Sequence, residues 1–301
     1  MKNFLYKVIL FNVPVLFYFG VTIFVTSTVL PLYYGPSTKQ QIMSSFENVV
    51  KKDYALVMLG NSRIYRGLNP DSFTLSAFNF SHDNDGANQM FHKLEWLIDQ
   101  KKEFEYLILG VDYFQFSFLS DTRNYVYIDY LGAGYNEDYG DNLFELKLKH
   151  HVSNANPLKF LLLKSVKGVP CHRKNGQYVK PGRAKESDGI KRDANRLKLQ
   201  ETYFQKTIDL CVSKNITVFL VMPPARAKEL NSYTKEEIMG FDDYLNNVTS
   251  KKNVFYLNYS RCDDFIMSDF TDITHLNEKA AEKFSKTLND DIIQLIKTSG
   301  K

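Results

Sequence analysis

Cysteine is scarce in this sequence, with three residues in 301. Cys171, Cys211 and Cys262 lie far apart, and none belongs to a CxxC pair. The spacing therefore does not indicate a zinc site or a thioredoxin-type site, and the sparse, odd number argues against a disulfide scaffold. We expect buried single thiols, and one bridge plus one free thiol is the alternative.

A large excess of charge is also absent, because the formal net charge is +4. There is no C2H2 spacing, RNP-like run or internal repeat, so the sequence does not predict a nucleic-acid binder. A hydrophobic content of 44% and a charged content of 24% argue against global disorder. The segment Lys164–Lys198 is an exception, with eleven Lys/Arg against three Asp/Glu, a formal +8. It is interpreted as a solvated face, and contact with anionic headgroups or an acidic polymer is the alternative.

One long apolar run lies near the N-terminus. Val8–Leu30 contains no charged residue, and its length suffices to cross a hydrocarbon core about 30 Å thick. Lys2 and Lys7 precede the run, so the positive-inside rule predicts a cytoplasmic N-terminus and an outward-facing body. We predict a single-pass membrane protein whose anchor, residues 1–34, contacts the membrane through residues 8–30. A cleaved signal peptide is the alternative, although its apolar region would be shorter.

Short apolar runs alternate with helical patterns over the rest of the chain. Continuous apolar strands indicate a parallel sheet covered on both faces, and the alternation predicts a doubly wound α/β domain over residues 35–301. The predicted strands are Tyr54–Leu59, Ala77–Phe80, Tyr106–Val111, Ile216–Met222 and Val254–Leu257. The predicted helices are Ile42–Lys51, Ala87–Gln100, Ile190–Ser213, Lys235–Val248 and Asn277–Thr298.

The interval Phe114–Glu186 interrupts this alternation and is too long for a simple connection, so it is predicted to be an insertion. Its first half is rich in tyrosine, including Tyr127 and Tyr135. These rings either stack on sugars or pack the insertion against the sheet.

Two short motifs could carry chemistry. Gly60-Asn61-Ser62-Arg63 follows the first strand, where an α/β sheet can expose a nucleophile; a helix N-cap is the simpler interpretation of this serine. Asp272 precedes His275 by three positions, before the last helix. This spacing can place the carboxylate beside the imidazole and leave the other ring nitrogen free to act as a base. A loop histidine near a capping aspartate is the alternative.

Together the two motifs resemble the SGNH (GDSL-like) hydrolase and acyltransferase superfamily, over about Lys52–Ile296. The resemblance implies a three-layer, flavodoxin-like sheet. It implies that Ser62 is the nucleophile, His275 the base and Asp272 the acid that orients it. It also implies a glycine after the second strand whose N–H joins that of Ser62 in the oxyanion hole, and Gly86 is the best match for this glycine.

The third family block differs here. The family usually has Gly-x-Asn-Asp after the third strand, whereas this chain has Gly110-Val111-Asp112-Tyr113. An ionised Asp112 cannot donate a hydrogen bond, so another donor, such as Asn84, would have to complete the oxyanion hole. Asn61, Arg63 and Asp112 are also candidates for substrate contacts.

The single anchor and the Ser-Arg ending of the first block most resemble the membrane-anchored members that acylate cell-surface polymers. That subgroup implies a glycan substrate and a multi-pass membrane acyltransferase of the MBOAT type as partner. The predicted function is O-acyl transfer or ester hydrolysis on a cell-envelope glycan, and the sequence does not separate the two. A catalytically inactive assembly partner with the same fold is the alternative. No cofactor is predicted. No metal is predicted either, although His82-Asp83-Asn84-Asp85 contains suitable ligands.

Overall fold

The computed structural model describes residues 2–29, 36–152, 171–179, 181–185 and 193–298. The strands are β1 Leu56–Leu59, β2 Ala77–Asn79, β3 Tyr106–Gly110, β4 Cys171–His172, β5 Tyr178–Val179, β6 Thr217–Met222 and β7 Val254–Asn258. The helices are α1 Lys2–Phe24, α2 Thr38–Val49, α3 Ser62–Gly67, α4 Ala87–Asp99, α5 Asn124–Glu137, α6 Leu143–Val152, α7 Lys198–Ser213, α8 Ala227–Leu230, α9 Lys235–Val248 and α10 Glu278–Thr298.

Five strands form one parallel sheet in the order β2-β1-β3-β6-β7. Counted along the sheet strands alone, this is the 2-1-3-4-5 order of flavodoxin-like folds. The predicted doubly wound α/β fold is confirmed, and each predicted sheet strand differs from the observed one by at most two residues at an end. Continuous apolar runs located the strands because β1, β3 and β6 are buried along their whole lengths.

The face of the sheet that packs on α10 forms one apolar cluster. Leu56, Ile108 and Phe219 from three adjacent strands meet Phe284 and Leu288 of α10. Alternate strand residues point to opposite faces of the sheet. The intervening strand residues are buried as well, so both faces of the sheet are covered. In such sheets, ligands bind beyond the carboxyl ends of the strands.

The chain divides into two compact units. One comprises Ser44–Asp121 and Cys171–Lys301 and contains the sheet; the other comprises Met1–Met43 and Thr122–Pro170. In the second unit Tyr127 and Tyr135 are buried, and the Tyr135 hydroxyl donates to Asn124 Oδ1 at 2.6 Å. These two tyrosines are therefore packing residues. The predicted insertion at about 114–186 contributes to both units, because its β4–β5 hairpin belongs to the unit with the sheet.

Helix α7 begins later than the sequence predicted. It starts at Lys198, and residues 193–197 are not helical, whereas residues 190–192 of the predicted helix lie outside the described residues. Leu197 has extended backbone, and its N–H donates to the Phe116 carbonyl at 2.8 Å. The Leu197 N–H is therefore bonded to a residue outside the helix, and α7 does not extend further toward the N-terminus.

The N-terminal helix α1 is long and apolar enough to cross a membrane, with a mean hydropathy of 1.8. Length and composition alone support this statement, and the orientation of the helix stays a prediction. Two of the three cysteines are free thiols: Cys211 is buried and Cys262 is partly buried. The side chain of Cys171 lies outside the described residues.

Candidate active site

Ser62 is the first residue of α3 and directly follows the turn after β1. The preceding residue, Asn61, caps this helix, because its side-chain oxygen accepts the N–H of Arg63 at 2.9 Å. The N-cap interpretation of Ser62 is therefore wrong. The Ser62 hydroxyl is left free for contacts outside the helix.

The turn requires glycine because α3 passes very close to the ends of two strands. A Cβ atom on Gly60 would lie 2.5 Å from Cγ1 of Ile64, and one on Gly110 would lie 2.2 Å from the same atom. Non-bonded carbon atoms prefer a separation of about 3.5–4.0 Å. The two glycines therefore let Ile64 sit against β1 and β3, which fixes where α3 and its first residue lie at the edge of the sheet.

Asp272 and His275 lie in a loop that closes on itself before α10. The Thr271 N–H donates to the His275 carbonyl at 2.8 Å, and Phe270 forms an antiparallel bridge with Leu276. Phe270 and Leu276 are both buried in the cluster under α10. The core therefore holds both ends of this loop, so the positions of Asp272 and His275 are set by packing.

The structure brings Ser62, His275 and Asp272 together. Ser62 Oγ lies 2.7 Å from His275 Nε2. Both carboxylate oxygens of Asp272 lie 2.8 Å from His275 Nδ1. Asp272 Oδ1 also accepts the backbone N–H groups of Thr274 and His275, each at 3.0 Å. This is the geometry of a nucleophile, a base and an orienting acid.

The pKa shifts of Asp272 and His275 indicate which of their atoms carry protons. Burial opposes the charge on Asp272, but the hydrogen bonds from His275 and from two backbone N–H groups lower its pKa well below the ordinary value. Burial is also the largest effect on His275 and lowers its pKa, with Arg66 acting in the same direction and Asp272 opposing both. An ionised Asp272 only accepts, so His275 Nδ1 carries the proton and Nε2 can accept the Ser62 proton.

Gly86, the best match for the oxyanion glycine, is not available as a donor. Its N–H donates to Gln89 Oε1 at 2.8 Å, and Gln89 is held in turn by the Ser120 carbonyl at 2.8 Å. A Cβ on Gly86 would lie 2.9 Å from the Gln200 amide. Gly86 thus serves as the cap of α4, and its prediction as an oxyanion donor is corrected.

Asn84 lies in a tight turn after β2, and this turn is bonded to Gly60, two residues before Ser62. The His82 N–H donates to the Gly60 carbonyl and the Asp85 N–H to the His82 carbonyl, both at 3.3 Å. Asn84 is exposed and has a φ of 62°. Within the described part of the chain, neither the Asn84 N–H nor the Ser62 N–H has an acceptor. Both backbone donors are therefore available to a ligand.

Asn61, Arg63 and Asp112 do not face a substrate. They are buried, with exposures of 3%, 4% and 1%. Asn61 Nδ2 donates to Asp112 Oδ2 at 2.7 Å, and Arg63 Nη1 donates to Asp112 Oδ1 at 2.6 Å. Arg63 also reaches Glu229 at 3.2 Å and the Pro224 carbonyl at 2.7 Å. Their prediction as substrate contacts is corrected: they form an internal network beneath α3.

Sequence reasoning missed Arg66, which lies one turn after Ser62 on α3. Its guanidinium forms a bidentate pair with the Asp83 carboxylate: Nε donates to Oδ1 at 3.0 Å and Nη2 donates to Oδ2 at 2.7 Å. Its Nη1 lies 3.3 Å from His275 Nδ1. The i,i+4 spacing of Ser62 and Arg66 was the signal that could have found it, because residues four apart share one face of a helix.

The β4–β5 hairpin, also missed, packs against the same helix. Gln177 Nε2 donates to the Arg66 carbonyl at 2.9 Å, and the Tyr178 ring stacks near Tyr65 with centroids 5.6 Å apart. Gly176 has a φ of 102°, and a Cβ there would lie 2.0 Å from the Asn79 carbonyl oxygen. The hairpin therefore fits closely against the end of β2.

The sequence His82–Asp85 is not arranged around a metal. Asp83 binds Arg66, and Asp85 Oδ2 accepts from the buried Lys93 at 2.6 Å. Among the described residues, no group of three or more His, Cys, Asp or Glu side chains is placed to hold an ion. The acidic groups of this segment act instead as partners of two cations.

A family model matches residues 180–297, less than half of the chain, and no curated protein matches the sequence. The chain is similar to a Streptococcus pneumonia protein described as a platelet activating factor, with 10% identity and a TM-score of 0.42 over 83% of this chain and 90% of that one. It is also similar to a GDSL-like lipase from Bacteroides thetaiotaomicron, with 12% identity and a TM-score of 0.40 over 85% of this chain and 100% of that one. Because these identities and TM-scores are low, no functional residue is assigned from either structure.

Proposed function

We propose that this chain is an extracytoplasmic serine-dependent O-acyltransferase or esterase that acts on a cell-envelope polysaccharide or a related glycan. One observation carries the proposal: Ser62 Oγ lies 2.7 Å from His275 Nε2, and Asp272 holds the other ring nitrogen. Ser62 is half-buried, so its hydroxyl is reachable from the edge of the sheet. A neutral imidazole in this position can activate a serine for attack on an acyl group.

The reaction follows from these contacts. Ser62 Oγ attacks the carbonyl carbon of the acyl donor while its proton passes to His275 Nε2. The tetrahedral intermediate then collapses, the bond to the leaving oxygen breaks, and that oxygen takes the proton from His275. A sugar hydroxyl or water next gives its proton to His275 and attacks the acyl-enzyme. The second tetrahedral intermediate collapses, the bond from the acyl carbon to Ser62 Oγ breaks, and Oγ takes the proton back from His275. Asp272 keeps the ring in the required tautomer and stabilises the imidazolium.

The oxyanion hole in this proposal is built from backbone. The N–H groups of Ser62 and Asn84 are the proposed donors, because neither has an acceptor in the described part of the chain and because the turn that carries Asn84 is bonded to Gly60, two residues before Ser62. Oriented N–H groups stabilise the negative oxygen of the tetrahedral intermediate. Asp112 has no part in this hole, since it accepts from Asn61 and Arg63.

The membrane helix favours transfer over hydrolysis in this proposal. An anchor at α1, with Lys2 and Lys7 on the cytoplasmic side, would keep the domain where an acyl group emerges from the membrane. A multi-pass MBOAT-type acyltransferase is the proposed supplier of that group. A glycan hydroxyl is then the acceptor, and water competes with it.

The test compares the full-length protein with Ser62→Ala in reaction with a fluorophosphonate probe. We expect labelling and turnover of a simple acetyl ester by the wild type and neither by the variant. Ser250→Ala is the control, because Ser250 is an exposed serine at the end of α9, and it should label like the wild type. The absence of Ser62-dependent labelling together with no ester turnover would contradict the proposal.

A non-catalytic assembly partner is the second candidate. It is favoured by Asp112, which stands where the resemblance expects a donor, and by Gly86, whose N–H is already bonded. Expression of Ser62→Ala in cells that lack the wild-type gene separates the two. Full restoration of envelope acylation by this variant would support the partner function, and loss of acylation would support the enzyme.

A further inference from the structure

Arg66 contacts both His275 and Asp83, which belongs to the turn that carries Asn84. It bonds to Asp83 through two parallel contacts of 3.0 and 2.7 Å, and it approaches His275 Nδ1 to 3.3 Å. Bidentate arginine–carboxylate pairs fix orientation as well as distance. The position of Asp83, and with it the turn, is therefore tied to α3, which begins with Ser62.

Arg66 also contacts the β4–β5 hairpin. Its carbonyl accepts from Gln177 of the β4–β5 hairpin, and its guanidinium lies 5.5 Å from the centre of the Tyr178 ring. The side chains of Arg66 and Asp83 are 12% and 22% exposed, so water screens the pair only in part. The cation thus stays near His275, held by contacts that do not involve the histidine.

Three charged groups act on His275 and come from three different segments. Burial lowers the pKa of His275 most; Asp272, in the same loop, raises it; Arg66 lowers it; and Asp83 raises it. Arg66 disfavours the imidazolium because like charges repel, and Asp83 partly compensates for this.

In the neighbouring hairpin the His172 and Tyr178 rings are neutral at neutral pH, and the charged Arg173 of its turn is paired with Glu278. Burial lowers the pKa of His172 to about 4. Burial also raises the pKa of Tyr178 above its ordinary value. The exposed Glu278 at the start of α10 is bonded to Arg173 at 2.8 Å. Arg66 and Asp83 are therefore the groups whose removal should change the proton affinity of His275 in opposite directions.

We propose that Arg66 is a positioning residue: through Asp83 it fixes the turn that carries Asn84 relative to α3, and it holds a cation against the ring of His275. The catalytic part of this inference rests on the proposed function. The effect of Arg66 on the protonation of His275 does not rest on the proposed function, because it is an equilibrium property of the folded protein.

The first experiment measures the His275 titration by NMR in the full-length protein with histidine labelled, in a Ser62→Ala background. His275→Gln assigns the signal among the six histidines. Arg66→Gln removes a cation and leaves Asp83, so the His275 pKa should rise. Asp83→Asn leaves the cation uncompensated, so the pKa should fall. Arg261→Gln, which removes an exposed arginine, is the control and should leave the titration unchanged.

The second experiment measures ester turnover against pH with Ser62 intact. The acid limb should move to higher pH in Arg66→Gln and to lower pH in Asp83→Asn. Arg66→Lys keeps the charge but loses the bidentate pair with Asp83. The acid limb of the pH profile should therefore stay in place, while kcat falls on the order of 10- to 100-fold, as expected for a displaced reacting group. KM should change little in this variant.

The outcomes are separable. The inference would be overturned if the His275 pKa shifted in the same direction in Arg66→Gln and Asp83→Asn, or in neither. A purely structural role of the two residues does not predict shifts of opposite sign. If Arg66→Gln does not fold, Arg66→Lys and Asp83→Asn still provide the kcat and titration tests. If the wild type shows no Ser62-dependent labelling, the proposed function fails, and the NMR titration still decides the effect of Arg66 on His275.

Discussion

At the scale of single residues, hydrogen-bonding capacity decides which groups can take part in the chemistry. Asp112 accepts only, and its oxygens are taken by Asn61 and Arg63. Burial opposes the charge on Arg63, but Asp112 and Glu229 outweigh it and raise its pKa above the ordinary value. A buried charge is retained when it is paired in this way. The third-strand aspartate therefore supports the helix of the candidate nucleophile from below and does not contact the reacting atoms.

Asn84 gives a prediction at the same scale. Asn84→Gly keeps the backbone N–H and readily adopts a φ of 62°, so its ester turnover should stay close to that of the wild type. Asn84→Val resists this φ because of its branched Cβ, so the N–H moves and kcat should fall on the order of 10²-fold, the loss expected for one oxyanion donor.

Kinetics of both variants, with thermal unfolding as the control for folding, check the prediction. An equal loss in Asn84→Gly and Asn84→Val would point to the side-chain amide as the donor and would contradict the backbone assignment.

At the scale of elements, periodicity located the strands and helices, but the contacts between segments had to be observed. The run Tyr106–Val111 predicted β3 because a strand buried on both faces is apolar throughout. The Asp272 to His275 spacing predicted their contact because three residues can form a single turn. The packing of the β4–β5 hairpin on α3 depends on tertiary contacts that no local pattern contains, whereas the bond from Gly86 to Gln89 is a local capping contact between residues three apart.

The packing of α3 against the sheet gives the second prediction. Gly110→Ala places a Cβ 2.2 Å from Ile64 Cγ1, so overpacking should lower the free energy of unfolding by about 1–3 kcal/mol. Ile64→Ala alone should cost about 2–5 kcal/mol, because Ile64 is fully buried. The double variant should lose less than the sum of the two changes, because removal of Cγ1 relieves the clash.

Urea unfolding of the two single variants and the double variant measures the coupling. Strict additivity within about 0.5 kcal/mol would contradict a direct contact between these positions. Gly134→Ala is the matched control, because nothing lies within 4 Å of a Cβ there.

At the scale of the whole molecule, the chain combines an apolar helix with an α/β unit that carries the candidate site. Helix α1 has 23 residues, which corresponds to a length of about 35 Å. This exceeds the thickness of a hydrocarbon core of about 30 Å. The helix is thus long enough to hold the protein at a membrane, which gives the third prediction.

We expect the full-length protein to stay in the membrane fraction after carbonate washing. A version that lacks residues 1–34 should be released and should keep Ser62-dependent labelling, because the sheet and the three site residues lie outside that segment. Protease treatment of intact cells or spheroplasts should cleave the body of the protein, if it faces outward. A mature protein that begins after residue 30 would contradict the anchor and favour a free secreted esterase.

The sequence alone determined the five strands of the sheet, five of the helices, the apolar N-terminal segment and the three candidate catalytic residues. These follow from local patterns: apolar runs, helical periodicity and the short spacing of Asp272 and His275. Only the full structure decided which polar groups are available to a ligand, because a backbone N–H or a carboxylate is available only when no other residue has bonded to it. Gly86 and Asp112 are taken by Gln89 and Arg63, whereas Asn84 remains open and Arg66 reaches His275.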